Sequence, residues 1–296
     1  MATDLLADIQ SCMGGFSKGQ KRIAKFMLEH YDKAAFMTAS KLGGAVGVSE
    51  STVVRFASEL GYEGYPQLQK ALQELIRNKL TAVQRMEMTT EQIGASDVLN
   101  KVLNLDIERI RRTLEETSRQ DFDTAVDAIV NAEHIYIIGI RSASSLASFL
   151  SFYFNHILPD VRLVNTSSAS EMFEQMLRIS EKDVLIAISF PRYSHRTHMA
   201  SQYASDCGAK VIAITDSQES PIAQCADTLL LARSDMASFV DSLVAPLSLI
   251  NALIVAVGLR CRNEVSDIFS RLERIWDEYN VYEKVEETKT KDGSAL

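Results

Sequence analysis

The sequence is poor in cysteine, with four in 296 residues (Cys12, Cys207, Cys225 and Cys261), all far apart and none in a C-x-x-C pair. This spacing argues against a zinc site or a disulfide framework. It suits a reducing cytoplasm, with the thiols acting as small packing groups. Residues 1–12 are mixed polar and hold no apolar run, so no secretory signal is expected. Long hydrophobic runs are lacking as well. The most apolar stretch, Leu243 to Leu259, is 17 residues long, contains Pro246, Ser248 and Asn251, and stops against Arg260 and Arg262. A membrane-spanning helix needs about 20 apolar residues. This one therefore reads as a buried or dimer-forming helix, and no membrane partner is expected. Glycine and proline are few, at 13 and five. A cytoplasmic protein with no metal and no cofactor is the expectation.

What is present is an ordinary globular composition, 46% hydrophobic and 24% charged, on a chain long enough for two domains with a core each. The net charge of −8 is unevenly spread: residues 1–80 hold ten Lys/Arg against eight Asp/Glu, and the remainder 21 against 31. An acidic protein can still bind nucleic acid through one local basic surface, so placement matters more than the total.

Hydropathy patterning divides the chain. Residues 1–80 read as all helical: Ser17 caps Lys18 to Glu29, helices follow at about 38–46 and 50–60, and a fourth starts near Pro66. Residues 81–95 are polar and weakly periodic and read as a linker. A helix with Val98, Val102, Leu105, Ile110 and Leu114 as its apolar stripe then leads into a second domain over 96–284. There, short β-branched runs at 134–140, 161–165, 184–190, 210–216 and 228–232 alternate with helical segments. Near-continuous apolar runs of this kind are typical of buried parallel strands, and the alternation predicts repeated βαβ units in a doubly wound sheet. Two helices, about 239–260 and 263–283, close the fold, and 285–296 is a polar tail expected to be disordered. The fold class is thus an all-α N-terminal domain joined to an α/β C-terminal domain with a doubly wound parallel sheet.

Residues 38–62 have a helix-turn-helix plan. Gly47 can turn left-handed after the first helix, Val48 plugs the angle, and Ser49 caps a second helix with Val53, Phe56, Ala57 and Leu60 inside. Its outward residues, Ser49, Glu50, Ser51, Thr52, Arg55 and Ser58, suit base edges in a major groove, and Arg55 suits a guanine or a phosphate. Lys41, Tyr62, Tyr65 and the Lys18/Lys21/Arg22/Lys25 cluster are candidates for contacts to the DNA backbone. A plain helical packing module with a solvated face would show the same helical pattern.

Specific motifs separate these readings. The runs SKGQKRIAKFMLEH (17–30), KLGGAVGVSESTVVRF (41–56) and ELGYEGYPQL (59–68) make Phe16 to Leu75 resemble the N-terminal domain of the RpiR/MurR family of bacterial regulators. Gly43 and Gly44 depart from the alanine-like residues of the family, at a cost to the helix of roughly 1 kcal/mol each. Residues 121–260 resemble the sugar isomerase (SIS) domain that follows in the same family. The resemblance implies a doubly wound domain whose ligand lies beyond the carboxyl ends of the strands, at the loops 139–147 and 189–197. Where the family loops read like G-x-G-x-S and S-x-S-G-x-T, this chain has Arg141 for the second glycine of the first. In the second it has Pro191-Arg192 for Ser-Gly and Ser194 for the threonine. Two glycines become two arginines.

Arg141 and Arg192, with Ser142, Ser144, Ser189 and Ser194, are therefore the candidate ligand residues for an anion, held by charge-assisted hydrogen bonds. Arginines facing solvent or a partner subunit, or paired with Asp and Glu residues, are the alternative. His195 and His198 could open a sugar ring in an isomerase, but with no identified partner they read better as surface or loop-stabilising histidines. The implied protein is a transcription regulator, repressor or activator, that binds double-stranded operator DNA and a small anionic metabolite, a sugar phosphate or a carboxylate. It is expected to act as a homodimer or homotetramer. The competing reading is a phosphosugar isomerase on the same fold.

Overall fold

The computed structural model describes residues 5–77, Met86, 96–234 and 240–283. Apart from Met86, the expected linker at 81–95 lies outside these residues, and so does the tail at 285–296.

The N-terminal region is helical: α1 (Leu5–Ser11), α2 (Lys18–Glu29), α3 (Tyr31–Ala34), α4 (Ala39–Val46), α5 (Glu50–Glu59) and α6 (Tyr65–Arg77). α1 and the short α3 add to the four helices expected. Ser17 starts α2 with a capping box, its hydroxyl accepting from the Gln20 amide while the Gln20 side chain accepts from the Ser17 N–H. The inner faces of these helices meet in one core of Leu5, Ile9, Phe16, Ile23, Met27, Leu42, Val53, Phe56, Leu68 and Leu72. Phe16 and Phe56 meet at 5.0 Å between ring centroids, tilted by 55°.

Between α4 and α5, Gly47 takes the left-handed conformation (φ 68°, ψ 46°) and its N–H returns to the carbonyls of Gly43 and Gly44. The two glycines of α4 differ in purpose. A Cβ on Gly43 would lie 2.8 Å from the Val48 carbonyl oxygen, whereas one on Gly44 would meet nothing within 4 Å. Gly43 is what lets the turn fold back onto α4, and its helix penalty is the cost of that close approach.

The second region holds a five-stranded, all-parallel sheet in the order β2-β1-β3-β4-β5. The strands are β1 (Ile135–Gly139), β2 (Val161–Val164), β3 (Val184–Ile188), β4 (Lys210–Thr215) and β5 (Thr228–Leu231). Each lies inside the run expected for it. One face packs Ile135, Ile137, Ile186, Ile212 and Ile214 against α8 (Arg119–Asn131), α9 (Ala143–Ile157) and α12 (Val244–Arg260). The other packs Tyr136, Ile138, Leu185, Val211 and Ala213 against α10 (Ala169–Met176) and α11 (His195–Asp206). Burial on both faces is why the strands read as unbroken apolar runs. The last helix, α13, spans Arg262–Glu278 and follows α12 across a bend of 99°. No single helix among the described residues is long and apolar enough to cross a membrane.

One expectation is corrected. α7 (Val98–Glu116) packs on α12, yet its apolar stripe faces outward. Val98 is 45% exposed and Leu114 75%, while the buried positions are Arg109 and Thr113. Periodicity located the stripe, but the inner face of this helix makes polar contacts to the segment after β5, which periodicity cannot register.

The glycine geometry gives a direct test. Gly44→Ala is expected to stabilise the protein by up to about 1 kcal/mol through helix propensity. Gly43→Ala is expected to destabilise it by about 1–3 kcal/mol through overpacking. Urea unfolding of the two variants measures both, and equal signs would contradict the close approach at Val48.

Candidate functional site

The helix-turn-helix presents α5 with Val53, Phe56 and Ala57 buried and Glu50, Ser51, Val54, Arg55 and Ser58 exposed. Ser49 occupies the N-cap position, but its hydroxyl makes no cap bond to the backbone, contrary to expectation. It lies instead 2.9 Å from the Ser51 hydroxyl and 2.8 Å from that of Thr52, forming a hydroxyl cluster at the start of α5. The Arg55 Nε donates to the Ser51 carbonyl at 3.3 Å, laying the guanidinium along the outer face. Val54, 39% exposed on that face, escaped the sequence reading because a valine in a helix is first assigned to the core. An apolar group there suits a thymine methyl.

α2 runs close by. A Cβ on Gly19 would stand 3.4 Å from the Thr52 methyl, and the Gln20 amide donates to Glu59 at 2.6 Å. Lys18, Lys21, Arg22, Lys25 and Lys41 are exposed, with Lys25 paired to Glu29 at 3.8 Å. Tyr62 is half-buried against the helical core.

Tyr65 is a correction. It is 2% exposed, and its hydroxyl donates to the Met37 carbonyl at 2.8 Å, which makes it a structural anchor between α6 and the end of α3 and not a surface contact. Burial pushes its pKa up to about 12.

The second candidate site lies where the strand order reverses. From β1 the chain crosses to β2 on one side and to β3 on the other, and the notch left beyond their carboxyl ends is the usual ligand position of such sheets. A cavity of about 330 Å³ opens there, lined by Arg141 and Ser142 after β1, by Ser189, Phe190, Pro191, Arg192 and Ser194 after β3, and by Val240, Asp241 and Leu243 before α12. The loops expected to share a pocket do share one. Ser144 does not line it. Its hydroxyl donates to the Arg141 carbonyl at 2.6 Å and so braces the turn. The third wall was missed because it lies far along the chain. Its one signal was a lone carboxylate, Asp241, just ahead of the 17-residue apolar stretch.

Both arginines have left-handed backbones, φ 61° at Arg141 and φ 66° at Arg192. For a residue with a Cβ this costs about 1 kcal/mol or more, and it is the conformation that glycine adopts freely. The hydroxyls are also arranged. The Ser189 Oγ accepts from the Ser194 N–H at 3.2 Å, and the Ser194 Oγ accepts from the Thr197 N–H at 3.3 Å, capping α11. Bonds that use the oxygens as acceptors leave the O–H groups as donors. Thr197 itself is fully buried in the first turn of α11, and its hydroxyl has no hydrogen-bond partner. Hydroxyl donors, the α11 N-terminus and the residues Arg141 and Arg192 thus border one space, with Asp241 on its third side; helix N-termini and guanidiniums are groups that bind anions. His195 is exposed, and the His198 Nδ1 sits 3.8 Å from the Cys225 sulfur, whose pKa burial raises. The four cysteines are free and Cys12 is exposed, not a packing group.

Comparison with known proteins follows the same division. Residues 3–79 match the helix-turn-helix domain of the rpiR family, and residues 128–256 match the SIS domain. An HTH-type transcriptional regulator of Caldanaerobacter subterraneus is 24% identical over 267 residues, 89% of this chain and 93% of the other. The HTH-type transcriptional regulator HexR of Pseudomonas aeruginosa is 24% identical over 266 residues, 87% and 90%. Among solved structures, the Vibrio vulnificus NanR protein, complexed with ManNAc-6P, is similar in fold, with a TM-score of 0.58 at 22% identity over 93% of this chain and 98% of that one.

One variant separates anchoring from recognition. Tyr65→Phe is expected to cost about 1–2 kcal/mol of stability, the price of leaving a buried carbonyl unpaired, with DNA affinity unchanged. Because the folded-state pKa is raised, the stabilisation from the neutral phenol is complete below about 10 and is lost as pH rises toward about 12. Unfolding measured across that range should show the loss in the parent protein and not in Tyr65→Phe.

Proposed function

The chain belongs to the rpiR family of helix-turn-helix transcription regulators, and on that premise we propose that it is a metabolite-responsive switch whose effector is a small anion held between Arg141 and Arg192. α5 enters the major groove, with Glu50, Ser51, Thr52, Val54 and Arg55 toward base edges. Lys41, Tyr62 and the basic face of α2 meet the phosphates. Two copies of the reader, as homodimer or homotetramer, address two half-sites. The effector, a sugar phosphate or a carboxylate, changes operator affinity by binding one arrangement of the readers better than the other. NanR's ManNAc-6P supports a phosphorylated sugar as the first class to test. The observation that carries the reading is the left-handed backbone of both arginines, on the two loops that line one cavity. Strain maintained at paired positions around an open pocket is the signature of residues kept for a ligand.

Calorimetric titration with sugar phosphates and with dicarboxylates, followed by DNA binding in the presence of the tightest ligand, tests the proposal. Arg141→Ala and Arg192→Ala are each expected to weaken the anion by about ten- to a hundredfold, the worth of one charge-assisted hydrogen bond. Affinity that survives both changes would remove the arginines from the site. Arg192→Gly is expected to weaken the anion equally without lowering Tm, because glycine relieves the backbone strain. On the DNA side, Arg55→Ala should cost about 1–3 kcal/mol on the preferred sequence if it reads a base. Equal weakening on all sequences would make it a phosphate contact.

A further inference from the structure

The inward side of α7 is unusual. Where a packed helix ordinarily buries apolar residues, α7 buries Arg109, 4% exposed, and Thr113, 6% exposed. Arg109 pairs with the Asp106 Oδ1 at 2.8 Å, with its Nε unpartnered, and the same carboxylate oxygen accepts the Ser242 hydroxyl at 2.7 Å from the cavity segment. The Ser242 carbonyl in turn accepts the Ser234 hydroxyl at 3.0 Å. One turn further along α7, the Thr113 hydroxyl accepts the Arg233 N–H at 2.9 Å and Glu116 pairs with the Arg233 side chain. At the helix end, Thr117 donates to the Leu231 carbonyl at 2.8 Å. The C-terminal half of α7 is therefore fastened, by polar groups, to the chain that leaves β5 and returns at Ser242. Val240, Asp241 and Leu243, on either side of Ser242, form the third wall of the cavity.

A helix that needed only to be held in place would be held more simply by apolar packing, because a buried ion pair gains little over hydrophobic residues of the same volume. Polar contacts are directional instead. They define one register and break as a unit when one partner shifts by an ångström or two. α7 also follows the DNA-reading region in chain order, so the covalent path from the reader into the second region enters at this helix.

We propose that Asp106, Arg109 and Ser242 are positioning residues that transmit between the cavity wall and the DNA reader, with the Ser242–Asp106 bond as the breakable link. This rests on the regulator reading above. The linkage is reciprocal by thermodynamic necessity, so DNA bound at the reader must be felt at the cavity wall with no effector present.

The test is hydrogen–deuterium exchange on the full-length protein, alone and with a duplex selected by this protein from a random pool. In the parent chain, bound DNA is expected to change exchange at least twofold in peptides covering 240–247. Ser242→Ala, which keeps the Asp106–Arg109 pair and the Thr113 and Thr117 contacts, is expected to bind the duplex within about twofold of the parent and to lose that change. Ser242→Thr, which restores a hydroxyl, is expected to recover it, a pattern that loss of packing alone would not give. A parent protein that binds DNA with no response at 240–247, or a Ser242→Ala variant that keeps the response, overturns the proposed link while leaving the regulator reading intact. Selection that yields no preferred duplex overturns both.

Discussion

A parallel sheet buried on both faces has one place where the helices cannot cover it, the point at which successive connections leave in opposite directions. Here that point lies between β1 and β3, and everything specific about the second domain is arranged around it. The loops that leave these strands cannot avoid each other. Gly139 keeps the first of them tight, since a Cβ there would stand 2.5 Å from the Ala143 carbonyl oxygen. The close approach brings the α9 N-terminus against the end of β1, and the Ser189–Ser194–Thr197 chain of hydrogen bonds does the same for α11 and β3. The remaining side is closed by the segment before α12, which α7 holds in register. A cavity with two walls set by topology and a third set by polar contacts has one side that is free to differ between states.

The two halves of the molecule use the same economy of close approach. In the reader, Gly43 lets the turn at Gly47 fold onto α4, and Gly19 lets α2 lie against Thr52 at the start of α5. The recognition helix is thereby set by backbone proximity on two sides, while Tyr65 ties α6 beneath it through the Met37 carbonyl. The outward residues of α5, Glu50, Ser51, Val54, Arg55 and Ser58, are then not needed for the core.

Much of this was legible in the sequence because it rests on periodicity and capping. The five strands announced themselves as β-branched runs, and Ser17 and Gly47 marked helix ends that the structure places where expected. The arginines in place of glycines pointed to paired loops. What escaped reading has a common cause: it depends on which partner a side chain meets across the fold. Tyr65 looked like a surface phenol and is an anchor. Ser144 looked like a ligand donor and braces its own turn. The stripe on α7 was found but turned the wrong way, since the Asp106–Ser242 contact spans 136 residues of sequence. Asp241 was invisible as a cavity residue for the same reason.

The left-handed arginines have a consequence for how the protein changes over generations. Every arginine codon is one nucleotide away from a glycine codon, and glycine is the residue that these two backbones accept most readily. Mutation therefore has a short path at both positions toward a chain that folds at least as well and no longer carries the guanidiniums. Positions of this kind erode quickly once their side chains cease to be used, so among descendants of this gene the pair Arg141 and Arg192 should survive together or be lost together, as a record of whether the cavity is still read.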